Sequence, residues 1–143
     1  MQGASEPQRL SVVKRRYEGS CHCGAVRFHV DADITELTTC DCSLCRRKNA
    51  LMAAVPETAL SIETGKDMLS LYEWNTGIGK HYFCRRCGIY TFHRKRMLPE
   101  QFGINVMCLD DFDIESVPIR RTKGSELSIE SPRGAPAARS SSA

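Results

Sequence analysis

Residues 19–30 read GSCHCGAVRFHV, and they join a metal-ligand motif to the start of a strand. Val26, Phe28 and Val30 alternate with polar residues, which is the two-residue period of a half-buried strand. Just before them, two cysteines one residue apart are followed by Gly24. A glycine there lets the chain reverse and leaves backbone N–H groups free to face the sulfur atoms. The segment therefore predicts a strand preceded by a metal-binding turn.

The same kind of turn recurs later in the chain, where residues 84–88 read CRRCG. Zinc binds four thiolates tetrahedrally at about 2.3 Å, so two such turns complete one closed site. We therefore expect a structural zinc ion held by the cysteines of both turns, Cys21, Cys23, Cys84 and Cys87. The alternatives are buried free thiols or disulfides. A disulfide between cysteines one residue apart would close a small, strained ring.

Residues 40–45, CDCSLC, supply three more cysteines. Cys42 and Cys45 lie three apart, on one face of a helical turn predicted over 42–49, and Cys40 can reach the same ion. Three protein ligands and one open position are typical of a catalytic zinc. The alternative is a closed site whose fourth ligand is Cys108, His22, His81 or His93. Spacing alone does not decide between the open and the closed arrangement.

The chemistry of a three-thiolate zinc narrows what an open site would bind. Such a site carries a formal charge of about −1, which disfavours a strongly acidified zinc-bound water. Its softness favours a thiol as the fourth ligand. The following residues, Arg46, Arg47 and Lys48, could offset the charge and bind carboxylates of a ligand, or they could simply form a solvated helix face. The pattern indicates a small acidic thiol as substrate.

The remaining pattern is typical of a mainly β domain with one short helix. Short apolar or alternating segments predict strands near residues 51–55, 60–63, 68–74, 82–83, 89–93 and 102–108. Residues 1–15 are polar and are interpreted as a flexible leader. Residues 122–143 end in a stretch rich in Ser, Pro, Ala, Gly and Arg, which predicts a disordered tail. One domain over residues 16–121 remains.

Composition argues against several classes of protein. The net charge of +3 includes no basic stripe, so nucleic-acid binding is not expected. No run approaches the roughly 18 apolar residues of a membrane span. The first ten residues contain no apolar core of a signal peptide, which predicts a cytoplasmic protein. In that reducing compartment, clustered cysteines bind metal more often than they form disulfides.

Three motifs in this order resemble the glutathione-dependent formaldehyde-activating enzyme family, whose vertebrate relative is centromere protein V. The motifs are GSCHCGAVRF at 19–28, CDCSLCRR at 40–47 and HYFCRRCG at 81–88, and the resemblance extends over about 17–120. It implies the family's β-rich zinc fold, a β-tent, with two zinc ions per chain. The implied ligands are Cys21, Cys23, Cys84 and Cys87 for the structural zinc, and Cys40, Cys42 and Cys45 for the catalytic zinc.

The resemblance implies a zinc-dependent carbon–sulfur lyase that converts glutathione and formaldehyde to S-hydroxymethylglutathione. Our hypothesis is that the thiol binds the second zinc as a thiolate and attacks the aldehyde. Arg46 and Arg47 would orient the carboxylates of the substrate. His81 or His93 would carry a proton, unless these histidines are structural.

Two other interpretations belong to different classes of protein. One is a non-enzymatic zinc scaffold whose basic ends bind protein or nucleic acid, as the centromeric relative suggests. The other is a zinc-ribbon module of a redox or metal-sensing system, with Cys108 as a reactive thiol. A simpler expectation for Cys108 is a small buried hydrophobe on a strand.

Overall fold

A computed structural model describes residues 14–73 and 77–123, which fold into ten strands, one α-helix and three short 3-10 turns. The strands are β1 Arg15–Ser20, β2 Arg27–Ala32, β3 Leu37–Cys40, β4 Met52–Pro56, β5 Leu60–Thr64, β6 Leu69–Tyr72, β7 Lys80–Cys84, β8 Tyr90–Arg94, β9 Gln101–Asn105 and β10 Ile119–Thr122. The helix is α1 Ser43–Lys48, and the 3-10 turns are Glu57–Ala59, Lys66–Met68 and Val106–Cys108. The predicted mainly β fold with short helical turns is confirmed.

Two sheets enclose one hydrophobic core. The smaller sheet has the strand order β1-β2-β5, and the larger has the order β10-β3-β4-β9-β8-β7-β6. Phe28 and Val30 lie on the inward face of β2, and Val26 directly precedes the strand. All three side chains are 0% exposed, as their alternation predicts. Phe28 meets Phe92 of β8 edge to face, with ring centroids 5.3 Å apart. This contact joins the two sheets at the centre of the core.

The arrangement brings the cysteine motifs to defined places. β1 and β2 pair as a hairpin, with Ser20 opposite Arg27, so the residues between them form its turn. β7 and β8 form a second hairpin, in which His81 lies opposite His93. Helix α1 follows β3 directly, and its predicted range of 42–49 contains the observed one. Three local elements therefore present the three cysteine motifs.

Several sequence expectations differ from the structure. The segment 102–108 is not one strand: β9 ends at Asn105, whose side-chain oxygen accepts a hydrogen bond from Met107 N at 3.2 Å and starts a 3-10 turn. Cys108 is buried as expected, at 8% exposure, but the strand predicted for it is wrong because it ends that turn. Strands β1, β3 and β10 were not predicted.

The predicted ends fall mostly on residues that the structure does not describe. β1 begins at Arg15, the last residue of the predicted leader, and β10 ends at Thr122, the first residue of the predicted tail. Residues 1–13 and 124–143 lie outside the described residues, as does 74, the last residue of the strand predicted at 68–74. In the parts of the chain that the structure describes, no helix is both long enough and apolar enough to cross a membrane.

Candidate metal centres

The four-cysteine site, Cys21, Cys23, Cys84 and Cys87, forms where the turn between β1 and β2 meets the β7–β8 hairpin. Its four sulfur atoms lie within 4.8 Å of one another. The sulfurs of Cys21 and Cys23 are 3.7 Å apart, and those of Cys23 and Cys84, 61 residues apart in sequence, are 3.8 Å apart. Sulfurs at the corners of a tetrahedron about 2.3 Å from a central ion are separated by about 3.8 Å. The spacing therefore fits a tetrathiolate zinc.

Both turns have the backbone that their glycines predict. Gly24 and Gly88 adopt φ values of +83° and +81°, which side chains other than glycine rarely tolerate. The reversal directs amides at the sulfurs: Val26 N donates to Cys21 Sγ at 3.3 Å, and Arg86 N donates to Cys84 Sγ at 3.3 Å. Such N–H groups stabilise thiolates and orient them toward a metal.

The amide contacts also alter the acidity of these thiols. Burial works against ionisation of Cys87, but hydrogen bonds from the backbone of Cys23 and Ile89 and from the thiols of Cys84 and Cys21 together outweigh it and lower the pKa of Cys87 to about 6. Cys84 is 0% exposed and Cys21 is 3% exposed. Cys23, by contrast, is exposed, and Cys87 is half-buried. Four thiols with this geometry, two of them buried, suit a cation that neutralises their charge.

The three-cysteine site consists of Cys40, Cys42 and Cys45. Cys40 ends β3, Cys42 caps the start of α1, and Cys45 lies in the first turn of that helix. Their sulfurs lie within 4.8 Å of one another, and all three residues are half-buried. Cys45 N donates to Cys42 Sγ at 3.4 Å, which holds the cap and the helix together. Among residues 14–73 and 77–123, no fourth Cys, His, Asp or Glu brings a ligand atom into this group.

The thiols of this site influence one another strongly. Hydrogen bonds from Cys42 and Cys45 lower the pKa of Cys40 well below its usual range, while the contacts with Cys40 and Cys42 raise the pKa of Cys45. One thiolate is thus stabilised by two neighbouring thiols, but a second and third negative charge are disfavoured. A divalent cation allows all three to ionise, and an all-sulfur set suits zinc. The residues present therefore fit a zinc ion.

The candidate fourth ligands lie elsewhere or have other partners. Cys108 Sγ donates to the carbonyl oxygen of Tyr90 at 3.5 Å, and burial raises its pKa to about 12, with the charges of Cys21 and Cys87 adding to the shift. Such a thiol is a poor nucleophile, which argues against the reactive-thiol interpretation. His22 is exposed and lies in the turn between β1 and β2, which carries the four-cysteine site.

Lys48 is a half-buried basic residue of helix α1, which also carries Cys45. It follows Cys45 by one helical turn, and its charge interacts with all three cysteines of the site. Its Nζ lies 3.3 Å from His81 Nδ1 and 3.9 Å from the centroid of the Tyr90 ring. Burial lowers the pKa of Lys48, and the thiolates counteract that shift.

Two histidines and a tyrosine surround this lysine and form a polar cluster with it: Lys48, His81, Tyr90 and His93. The rings of His81 and His93 stack with centroids 4.9 Å apart, and Tyr90 Oη donates to His93 Nδ1. Burial and the nearby Lys48 lower the pKa of His81 to about 3 and that of His93 to about 2. Both rings are therefore neutral near pH 7, and each offers an acceptor nitrogen.

Arg46 and Arg47, the predicted carboxylate-binding residues, are exposed on α1. Arg47 Nη1 donates to the Ser43 carbonyl of the same helix at 3.1 Å. The sequence analysis grouped Lys48 with Arg46 and Arg47 and gave it no separate role. Its position three residues after Cys45 nevertheless predicts that both side chains lie on the same face of the helix. Tyr90 was not singled out at all, because only the pairing of β7 with β8 brings it near α1.

The chain matches the family described as glutathione-dependent formaldehyde-activating enzyme over residues 16–122. A Halomonas elongata protein named "Putative glutathione-dependent formaldehyde-activating enzyme" is 35% identical in an alignment 80 positions long, and the match covers 49% of this chain and 50% of that protein. The match thus spans about half the length of this curated relative. A crystal structure of a Rhodobacter sphaeroides protein is 39% identical, with a TM-score of 0.65 over 71% of this chain and 98% of the other. Since the family match includes both cysteine sites, the chain belongs to the glutathione-dependent formaldehyde-activating enzyme family.

Proposed function

We propose that this protein is a zinc-dependent carbon–sulfur lyase that forms or breaks down S-hydroxymethylglutathione. Membership of the family supports glutathione and formaldehyde as the substrate pair. The observation that carries the proposal is the three-cysteine site, a set of three converging sulfurs without a fourth described ligand. Three ligands with an open position characterise catalytic zinc sites.

The two sites would hold two zinc ions with different tasks. Cys21, Cys23, Cys84 and Cys87 would hold a structural zinc that links two hairpins. Cys40, Cys42 and Cys45 would hold the second. A zinc ion bound there supplies a soft Lewis acid that favours the thiolate form of a substrate thiol.

The reaction needs little beyond positioning and charge balance. In the forward direction, the thiolate sulfur attacks the aldehyde carbon, a C–S bond forms, and the π pair of the carbonyl moves to oxygen. The oxygen then takes a proton, which balances the one that the thiol released. The reverse reaction breaks the same C–S bond, and neither direction requires an oxidant or a reductant.

Substrate recognition would use the exposed basic residues of α1. Arg46 and Arg47 lie in the last turn of the helix that carries Cys45, and guanidinium groups bind carboxylates through paired hydrogen bonds. Glutathione has two carboxylates, so we propose that these arginines orient it. All eight cysteines are free thiols, which suits the reducing cytoplasm that we propose as the location.

A Cys42→Ala variant tests this function, with Cys108→Ala as the control because Cys108 is a cysteine outside both sites. The rate of exchange among glutathione, formaldehyde and their adduct can be measured by NMR, and zinc can be counted by mass spectrometry. We expect Cys42→Ala to retain one zinc and lose the catalysed exchange, while the control retains both. Full exchange activity in Cys42→Ala would contradict the proposal.

The scaffold interpretation depended on the basic ends of the chain. Those ends fall largely on residues 1–13 and 124–143, outside the described residues. If the purified zinc-loaded protein does not accelerate the exchange, that interpretation becomes the one to test.

A further inference from the structure

The polar cluster contains Lys48, which follows Cys45 by three residues in α1 and lies in an environment that is unfavourable for a charge. Lys48 is half-buried, and burial lowers its pKa. The charges that favour its protonated form are those of Cys45, Cys42 and Cys40. A half-buried ammonium group must be compensated, and here the sulfurs of the three-cysteine site provide the compensation.

The neighbours of Lys48 restrict where its ammonium group lies. Neutral His81 accepts a hydrogen bond at Nδ1, and the face of Tyr90 lies 3.9 Å from Nζ. An ammonium group has three N–H donors, so His81 leaves two of them available for other partners. The cation–π contact with Tyr90 adds stabilisation without consuming an acceptor.

A second set of contacts holds these neighbours in place. Tyr90 donates from its hydroxyl to His93, whose ring stacks on His81. Asn105 Nδ2 donates to the Tyr90 carbonyl at 2.9 Å. Burial raises the pKa of Tyr90 well above its usual value, so the hydroxyl remains a donor. The lysine is therefore held by residues from two adjacent strands and their neighbour β9.

We propose that Lys48 is a catalytic cation of this protein, an inference that rests on the function proposed above. Its ammonium group offsets the net negative charge that three thiolates and a divalent metal ion carry together. It also donates a hydrogen bond to the aldehyde oxygen, on which negative charge develops as the C–S bond forms. In the reverse reaction it stabilises the same oxygen as the bond breaks. His81, Tyr90 and His93 are positioning residues for Lys48.

The chemistry of the oxygen explains why a fixed cation is useful here. A sulfur nucleophile converts the carbonyl into an alkoxide before a proton arrives, and positioned donors stabilise such charge most effectively when they need not reorganise. The half-buried Lys48 is held in one place, whereas Arg46 and Arg47 are exposed. The run of three basic residues is thus divided by function into one cation for the reacting atoms and two for the carboxylates.

The test compares Lys48→Met with Lys66→Met in the full-length, cobalt-substituted protein. Lys66 is exposed in a 3-10 turn, so the control removes the same charge outside the site. Two quantities are measured: the affinity for the second cobalt ion, by chelator competition on the sulfur-to-cobalt bands, and the rate of adduct exchange with both sites filled. Full occupancy of the first cobalt site reports that each variant is folded.

We expect Lys48→Met to weaken binding of the second cobalt about 10-fold, because one charge-assisted interaction is lost. Exchange should fall at least about 100-fold, as when an oxyanion donor is removed. Lys66→Met should match the parent protein in both quantities. Lys48→Arg, which retains the charge, should recover more cobalt affinity than Lys48→Met does.

His81→Leu separates positioning from charge. It removes the acceptor for Nζ but leaves the ammonium charge, so affinity for the second cobalt should stay within about 3-fold of the parent while the exchange rate falls about 10-fold. Equal rates in His81→Leu and the parent would overturn the positioning role.

The two readouts distinguish failure of this inference from failure of the proposed function. Unchanged cobalt affinity and unchanged exchange in Lys48→Met would overturn the role of Lys48. Weaker cobalt binding with unchanged exchange would overturn its contact with the oxygen. If the parent protein catalyses no exchange, the proposed function fails, and with it the contact with the oxygen, whereas the cobalt affinities still decide whether Lys48 is the cation of the site.

Discussion

The two cysteine sites are built from the same side chain but differ in sequence separation, burial and surroundings. In the four-cysteine site, Cys23 and Cys84 are 61 residues apart, and Cys21 and Cys84 are almost completely buried. In the three-cysteine site, all three cysteines lie within residues 40–45 and are half-buried, and Lys48 follows them in α1. The difference indicates that a closed, long-range site can tether a fold, whereas a local, incomplete site leaves room for a ligand.

The largest effect should come from removing one ligand of each site. Cys84→Ala should abolish folding or lower the melting temperature by more than about 10 °C, because binding of structural zinc is coupled to folding. Cys42→Ala should lower it by only a few degrees, about what 1 kcal/mol produces. Thermal unfolding followed by circular dichroism measures both.

Cys108→Ala is the matched control, since it removes a buried cysteine outside both sites. Cys108→Ala should lower the free energy of unfolding by about 1 kcal/mol, because it leaves a small cavity. Equal melting temperatures for Cys84→Ala and Cys42→Ala would contradict the division into a tethering and an open site.

A smaller effect tests whether the polar cluster belongs to the three-cysteine site. A Cβ atom at Gly103 would lie 2.5 Å from His93 Cε1, so Gly103→Ala must displace the ring. We expect a loss of about 1–3 kcal/mol in the free energy of unfolding, typical of overpacking. Adduct exchange should fall as well, because the displaced His93 no longer supports His81 and Tyr90.

The double variant Gly103→Ala with His93→Ala shows whether the clash with the His93 ring causes the loss of stability in Gly103→Ala. Once the His93 ring is removed, the added methyl group should change the free energy of unfolding very little. The losses in stability of the two single variants would then be strongly non-additive. Additive losses in the free energy of unfolding, measured by urea denaturation, would show that Gly103→Ala destabilises the fold without involving the His93 ring.

The glycine turns of the four-cysteine site allow a still smaller change. Gly88→Ala places a residue with a side chain at a backbone φ of +81°. This should lower the free energy of unfolding by about 1–2 kcal/mol. The same replacement does not touch α1, so the metal affinity of the three-cysteine site should be unchanged. A selective loss of the second metal ion would show that the two sites are coupled.

The smallest expected change concerns protonation. With pKa values of about 3 and 2, His81 and His93 should show no titration of their ring NMR signals between pH 5 and 8. The unfolded chain binds these protons near pH 6.5, so the two histidines destabilise the fold as the pH falls below that value. A midpoint near 6.5 for either ring would mean that the polar cluster is open to water.

Much of the arrangement of the clustered cysteines could be predicted because each motif is local. Two cysteines and a following glycine define each turn within a few residues, and the backbone at Gly24 and Gly88 confirms that prediction. The strand β2 could also be predicted from the sequence, because every second residue along it is buried. Short motifs and full burial leave strong signals in a sequence.

The unpredicted features depend on contacts between distant segments. β10 is a short edge strand with the sequence IRRT, mostly exposed and paired in parallel with β3, so it lacks a hydrophobic period. The apparent strand at 102–108 ends early because the Asn105 side chain caps a turn. The contacts of Lys48 form only because His81 and Tyr90, which are distant in sequence, lie beside α1.

The comparison of the two cysteine sites predicts that, once metal is bound, the four-cysteine site is closed and the three-cysteine site accepts a thiol. The most direct test is to titrate glutathione into the protein with cobalt in both sites and follow the sulfur-to-cobalt charge-transfer bands. We predict a saturable increase that corresponds to one added sulfur ligand per chain and that disappears in Cys42→Ala. No change in the bands, with both sites shown to be filled, would show that the three-cysteine site does not accept glutathione.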